Sequence, residues 1–231
     1  MKAKELRFVA TESSGEVSAL YLRPRGADAL LVLGHGAGAG MAHPFMSDMA
    51  QRLAGHGLAT LRYQFPYMER RERRGGRRPP DRAPVLGETV RAAVARAGRL
   101  AGDLPLLAGG KSMGGRMTSL AQAERPLPGV RGLVFFGFPL HPRGKPSAER
   151  ADHLSGIVVP MLFLQGSRDD LASLELLEPV CDALGETAEL RVFEGADHGF
   201  HVLKRSGLTD EEVAADLAAA VGNWAGARLR R

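Results

Sequence analysis

The chain has a single cysteine, Cys181, among 231 residues. One thiol cannot form an internal disulfide, and this sparing use of cysteine suits a reducing compartment. Cys181 lies in an apolar, helix-like stretch, which reads as a buried filler rather than a nucleophile. Long hydrophobic runs are also missing. No apolar segment approaches the length of a membrane span, and no signal-type apolar core follows Met1-Lys2-Ala3-Lys4-Glu5. The expectation is therefore a soluble, cytoplasmic protein that does not engage a membrane. No internal repeat is visible, and no second domain fits the length, so residues 1–231 are expected to form one domain.

What is present is globular in character, with 44% hydrophobic and 25% charged residues. The net charge is +5 and rests mainly on arginine, much of it in Arg70-Arg71-Glu72-Arg73-Arg74-Gly75-Gly76-Arg77-Arg78. Such a run can meet phosphates or acidic surfaces. No aromatic residues interleave with it and no nucleic-acid-binding signature accompanies it, so it is read as a solvated loop and not as a nucleic-acid site.

Strands and helices alternate along most of the chain. Leu6–Ala10 and Val17–Leu22 flank Ser13-Ser14-Gly15 as a hairpin. The continuous apolar run at 29–33 has the pattern of a strand covered on both faces, 130–136 reads as another buried strand, and 58–63, 105–108, 158–164 and 190–193 read as further strands. Helical periodicity predicts helices over 44–56, 85–100, 117–124 and 171–184, with a loop from the end of the 58–63 strand to about Pro84. Thr209 and Glu212 have capping-box spacing at the start of a last helix burying Val213, Leu217, Val221 and Trp224. This order implies an α/β fold with a mostly parallel sheet, an antiparallel N-terminal hairpin and helices on both faces.

One turn organises the rest. Gly110-Lys111-Ser112-Met113-Gly114 is a G-x-S-x-G pentapeptide between strand and helix. A serine attacks a carbonyl only if its hydroxyl projects clear of the backbone. A sharp strand-to-helix turn does this, and residues two before and two after must then be small. Two rivals stand beside this reading. A P-loop would need glycine where Pro105 stands, and Ser112 could simply cap a helix. Likewise Gly34-x-Gly36-x-x-Ala39 loosely fits a dinucleotide-binding turn, but Arg62 and Tyr63 occupy the place where an acidic residue would bind ribose.

Other strand ends supply partners for the serine. In an open parallel sheet functional groups collect beyond the carboxyl ends of the strands. Four such ends carry Gly34-His35-Gly36-Ala37, Ser112, Asp169 and His198. The order Ser, acid, His is that of the α/β-hydrolase triad. The His35–Gly38 turn, the Arg62–Tyr67 segment and the Gly110–Arg116 elbow resemble the lidless bacterial α/β-hydrolases related to dienelactone hydrolases, and the resemblance covers nearly the whole chain. It implies a single-domain hydrolase fold without a large cap.

Ser112 is then the expected nucleophile, His198 its general base and Asp169 the residue that orients His198. The backbone N–H groups of Met113 and Ala37 are the expected oxyanion hole, with no metal or organic cofactor required. His198 is preferred to His201, and Asp169 to Asp170. Asp197 is read as a turn residue and His35 as a structural hydrogen-bonder. Lys111 and Arg116 flank the elbow and are expected to be exposed or ion-paired. Phe65, Pro139, Leu140 and His141 are expected to line a small substrate site suited to short acyl or ester compounds. The alternative from another class is a non-catalytic interaction module that uses the Arg70–Arg78 segment.

Overall fold

A computed structural model describes residues 1–76 and 78–229. Its centre is an eight-stranded sheet built from β1 (Lys4–Thr11), β2 (Gly15–Leu22), β3 (Ala29–Gly34), β4 (Leu58–Tyr63), β5 (Leu106–Lys111), β6 (Val130–Phe136), β7 (Met161–Gly166) and β8 (Ala188–Phe193). The strand order is β1-β2-β4-β3-β5-β6-β7-β8. The β1–β2 hairpin and the β2–β4 pair are antiparallel, and every later pair is parallel. The expected α/β architecture is therefore observed.

The two faces of the sheet separate the apolar residues by alternation, as the pleat requires. Leu30, Val32, Leu61, Ala108, Phe135 and Phe163 point to one side. There they meet α2 (Pro66–Arg74), α3 (Ala83–Ala101), α4 (Met113–Glu124) and α5 (Leu174–Leu184) through Met68, Val90, Met117 and Leu177. Leu31, Leu33, Val134 and Leu164 point to the other side, against α1 (Pro44–Gly55) and α6 (Asp210–Leu229). Cys181 is buried on α5, and burial pushes its thiol pKa up to about 12, as befits packing rather than reactivity.

The start of α6 forms the expected capping box. Thr209 N–H donates to the Glu212 carboxylate at 2.8 Å and Glu212 N–H donates to Thr209 Oγ1 at 3.2 Å. The helix buries Val213, Leu217, Val221 and Trp224 against the sheet.

One element departs from the sequence reading. The arginine-rich segment reads as a loop, but its first half is helical, in α2 from Pro66 to Arg74. Pro66 stands at the first turn, where its lost N–H costs nothing. Burial of Tyr67 and Met68 supplies the apolar anchor that arginines alone lack. Arg70 pairs with Asp81, and Arg71 donates to the Gly38 carbonyl at 3.3 Å. Arg77 lies outside the described residues.

The connection from β6 to β7, residues 137–160, contains only the 3-10 helix Glu149–Gly156 and builds no cap domain. Among the described residues no helix is long and apolar enough to cross a membrane.

Candidate active site

The site is assembled from four loops beyond the carboxyl ends of the parallel strands. At the end of β5 the chain turns sharply into α4, which starts at Met113, immediately after the serine. Ser112 sits at φ 52°, ψ −118°, a conformation that only a tightly constrained turn imposes on a residue with a Cβ. Its N–H donates to the Phe136 carbonyl at 3.0 Å. The glycines are sterically required. A Cβ on Gly110 or on Gly114 would collide with the Gly34 carbonyl oxygen.

The loop after β8 carries His198 to the serine. The His198 Nε2 lies 2.9 Å from Ser112 Oγ, and Nδ1 lies 2.7 Å from Asp169 Oδ2. Asp169 comes from the loop after β7, and its side chain is fully buried. Its carboxylate accepts two further bonds, from Gln165 Nε2 at 2.5 Å and from the Leu171 N–H at 2.8 Å. A buried carboxylate held by three donors is kept in one rotamer.

The rival residues stand elsewhere. Asp170 pairs with Arg143 at 2.6 Å on the surface. His201 binds Asp210 at 2.8 Å and faces solvent. Asp197 accepts N–H bonds from Gly199 and His201 at 2.7 and 3.0 Å, the behaviour of a turn residue.

The glycine turn after β3 lies against the elbow. A Cβ on Gly36 would stand 3.8 Å from Ser112 Cβ. His35 pins this turn, its Nδ1 donating to the Gly36 carbonyl at 2.7 Å while Nε2 accepts the Phe65 N–H at 3.0 Å. That pattern requires the neutral ring. Burial agrees, lowering its pKa to about 4 against the opposing pull of the Gly36 carbonyl. Tyr67 Oη donates to the Ala37 carbonyl at 2.9 Å and orients that peptide. Among the described residues neither the Ala37 nor the Met113 N–H donates to a protein acceptor.

A cavity of about 340 Å³ opens over the serine. Ala37, Ala39, Phe45, Met46 and Leu171 give it apolar walls, and Ser112, His198, Lys111 and His43 give it polar ones. This corrects the expected lining, for Phe65, Pro139, Leu140 and His141 are not among its walls. Phe65 is wholly buried beneath the site, edge-on to His35 with ring centroids 5.0 Å apart. Beyond β6 the chain turns inward, so Leu140 joins the core, and His141 Nδ1 donates to the Pro142 carbonyl at 2.9 Å. The wall comes instead from the start of α1.

Lys111 is a second correction. Its side chain is half-buried and makes no ion pair among the described residues. It donates to the His198 carbonyl at 2.5 Å and lies over the Phe45 and Phe200 rings. Burial lowers its pKa to about 8, against the opposing pull of Asp169 and Asp197. Arg116 is not part of the cavity wall, and its pKa is lowered by burial and then by the nearby Arg150 cation.

Gln165, Phe45, Met46 and Leu171 have no place in the sequence reading of the site, and Tyr67 enters it only as the end of the Arg62–Tyr67 segment, with no role assigned. Only Gln165 carries a visible signal, a polar residue closing an otherwise apolar strand.

Similar folds occur in several solved structures. A dienelactone hydrolase from Anabaena variabilis superposes with a TM-score of 0.75 at 20% identity, covering 99% of each chain. A serine hydrolase homologue from Coxiella burnetii reaches 0.71 at 19% identity, covering 95% of this chain and 98% of that one. A serine hydrolase without a lid from Xanthomonas campestris reaches 0.68 at 17% identity, covering 97% and 95%. The family model for the alpha/beta hydrolase domain matches residues 27–226, from just before β3 into α6, and the chain belongs to that family.

Proposed function

We propose that this protein is a serine hydrolase that cleaves small carboxylic esters or related acyl compounds through an acyl-enzyme. The observation that carries the reading is His198, whose two ring nitrogens bridge Ser112 Oγ and Asp169 Oδ2 at 2.9 and 2.7 Å.

In this reading His198 Nε2 removes the proton from Ser112 as Oγ attacks the substrate carbonyl. The carbonyl oxygen becomes an oxyanion that accepts the Met113 and Ala37 N–H bonds. Each such donor is worth about 100-fold to 1,000-fold in rate. Collapse of the tetrahedral intermediate breaks the bond to the leaving group, which takes the proton from His198. Water then repeats the sequence on the acyl-enzyme, releasing the acid and restoring Ser112. Asp169 keeps the proton on Nδ1 and stabilises the imidazolium that forms in each half.

Substrate size follows from the cavity. Its volume of about 340 Å³, with walls at Phe45, Met46 and Leu171, suits a short or compact apolar acyl group rather than a long lipid chain. The structural neighbours named serine hydrolase and dienelactone hydrolase support the same class of chemistry.

The test is active-site labelling with a fluorophosphonate, followed by peptide mapping, alongside turnover of p-nitrophenyl esters of increasing chain length. The expected results are an adduct on Ser112, loss of turnover in Ser112→Ala, and highest kcat/KM for short acyl chains. An unlabelled Ser112 together with unchanged turnover in Ser112→Ala would overturn the assignment.

A further inference from the structure

Two consecutive residues grip opposite ends of His198. Ser112 Oγ meets the ring at Nε2, at 2.9 Å, and Lys111 Nζ donates to the backbone carbonyl of the same histidine at 2.5 Å. We propose that Lys111 is a positioning residue, which ties the loop bearing the general base to the strand bearing the nucleophile. This rests on the serine-hydrolase reading above.

The loop needs such a tie. Residues 197–200 belong to no helix or strand, and beside them stands the isolated Ala196–Val202 bridge. Asp197 organises the backbone of Gly199 and His201, but neither bond touches the His198 carbonyl. Phe200 is held at φ 65°, a left-handed conformation that costs a bulky residue energy. Its ring stacks on Phe45 with centroids 5.9 Å apart. The Lys111 ammonium lies 5.3 Å from the Phe200 centroid and 5.9 Å from that of Phe45. One cation thus meets both the strained residue and the carbonyl two positions before it.

The surroundings are built for this group. Gly137 has φ 66°, and a Cβ there would lie 2.9 Å from Lys111 Nζ and 3.3 Å from His198 Nδ1. The missing side chain leaves room for the ammonium and the imidazole together. Lys111 ends β5, so its backbone is fixed by pairing to β6 at Phe136. The groups facing the ammonium are the His198 carbonyl, the two phenyl rings and the Asp169 and Asp197 carboxylates. It therefore also places positive charge near the buried Asp169 anion.

The tie is pH-dependent. A charge-assisted hydrogen bond is roughly twice as strong as a neutral one. With the Lys111 pKa lowered to about 8, the bond weakens as the ammonium loses its proton above that pH.

The experiment measures kcat and KM for an activated ester from pH 6 to 10 in the wild type, Lys111→Met and Lys111→Ala. Thermal unfolding of each variant and fluorophosphonate labelling of the wild type run alongside. Lys111→Met is expected to lose about 10-fold to 100-fold in kcat with KM little changed, as for a misplaced catalytic group. The wild type is expected to lose kcat above about pH 8, and the Met variant to lack that decline. Propylammonium, which replaces the missing atoms, is expected to raise the rate of Lys111→Ala. Wild-type activity with an equal kcat in Lys111→Met overturns the role of Lys111 alone. A flat wild-type kcat from pH 7 to 10 does the same without any variant, so a misfolded variant cannot shelter the idea. A wild type that neither labels nor turns over overturns both this role and the serine-hydrolase reading.

Discussion

Gly34 and Gly114 meet backbone to backbone. A Cβ on Gly34 would stand 3.1 Å from the Gly114 Cα, and one on Gly114 would run into the Gly34 carbonyl oxygen. This contact brings the turn after β3 onto the first turn of the elbow helix. No larger residue at either position allows the approach.

Gly114→Ala should therefore damage both fold and site. The new methyl meets backbone rather than a movable side chain, so relaxation is limited. The expected loss is on the order of 3 kcal/mol or more in urea unfolding. Whatever folds should label slowly at Ser112. Unchanged stability would show that the two turns can separate freely.

Gln165 holds Asp169 by a 2.5 Å bond and accepts the Phe138 N–H at 2.9 Å. Gln165→Leu removes both partners and should lower kcat about 10-fold to 100-fold with little change in KM. Asp169→Asn, which alters the tautomer of His198 directly, should cost about 10,000-fold in kcat. Steady-state kinetics with one ester separates the two. Equal losses would mean that Gln165 does more than orient the carboxylate.

His35 makes the fold acid-sensitive. Its pKa is depressed from 6.5 to about 4 by burial, so between those values the unfolded chain binds the proton that the native ring refuses. Stability is fully present above about pH 6.5, falls as the pH drops towards 4, and loses no more from this group below that. The loss from His35 alone should be roughly 3 kcal/mol, because each tenfold weakening of proton binding is worth about 1.4 kcal/mol. His153, lowered to about 4 by burial and by the Arg116 cation, acts in the same direction. Urea midpoints across this range give the loss, and NMR titration should find His35 neutral until close to pH 4. A His35 that titrates near 6.5 would contradict the buried, doubly bonded ring.

Met46 is buried and walls the cavity from α1. Met46→Ala should enlarge the pocket and move the best p-nitrophenyl ester to a longer acyl chain, at a stability cost of about 2–5 kcal/mol. An unchanged chain-length profile would place the acyl group elsewhere in the site.

Much of this architecture is written in local patterns. The apolar run at 29–33 matches a strand buried on both faces, because a strand covered by helices on both sides tolerates no polar stripe. The capping box at Thr209 and Glu212 needs only neighbours three residues apart, and it forms as read. The glycines around Ser112 are equally legible, since the steric demand of the turn falls on those two positions. Helix α2 is obscured because arginine dominates it and its stabilising contacts, at Tyr67 and Met68, are made to distant parts of the chain.

The sequence by itself determined the strand and helix order apart from α2, the elbow, and the succession Ser112, Asp169, His198 at strand ends. Each of these depends on periodicity, local sterics or chain order. Only the tertiary structure decided that Phe65 and Leu140 sit in the core while Phe45 and Met46 face the serine. It alone decided that Lys111 turns to His198 and Gln165 to Asp169. Those outcomes depend on how loops from β3, β5, β7 and β8 converge in space. A side chain at a strand end takes its partner from whichever loop arrives beside it, and nothing in its own neighbourhood of sequence encodes that arrival.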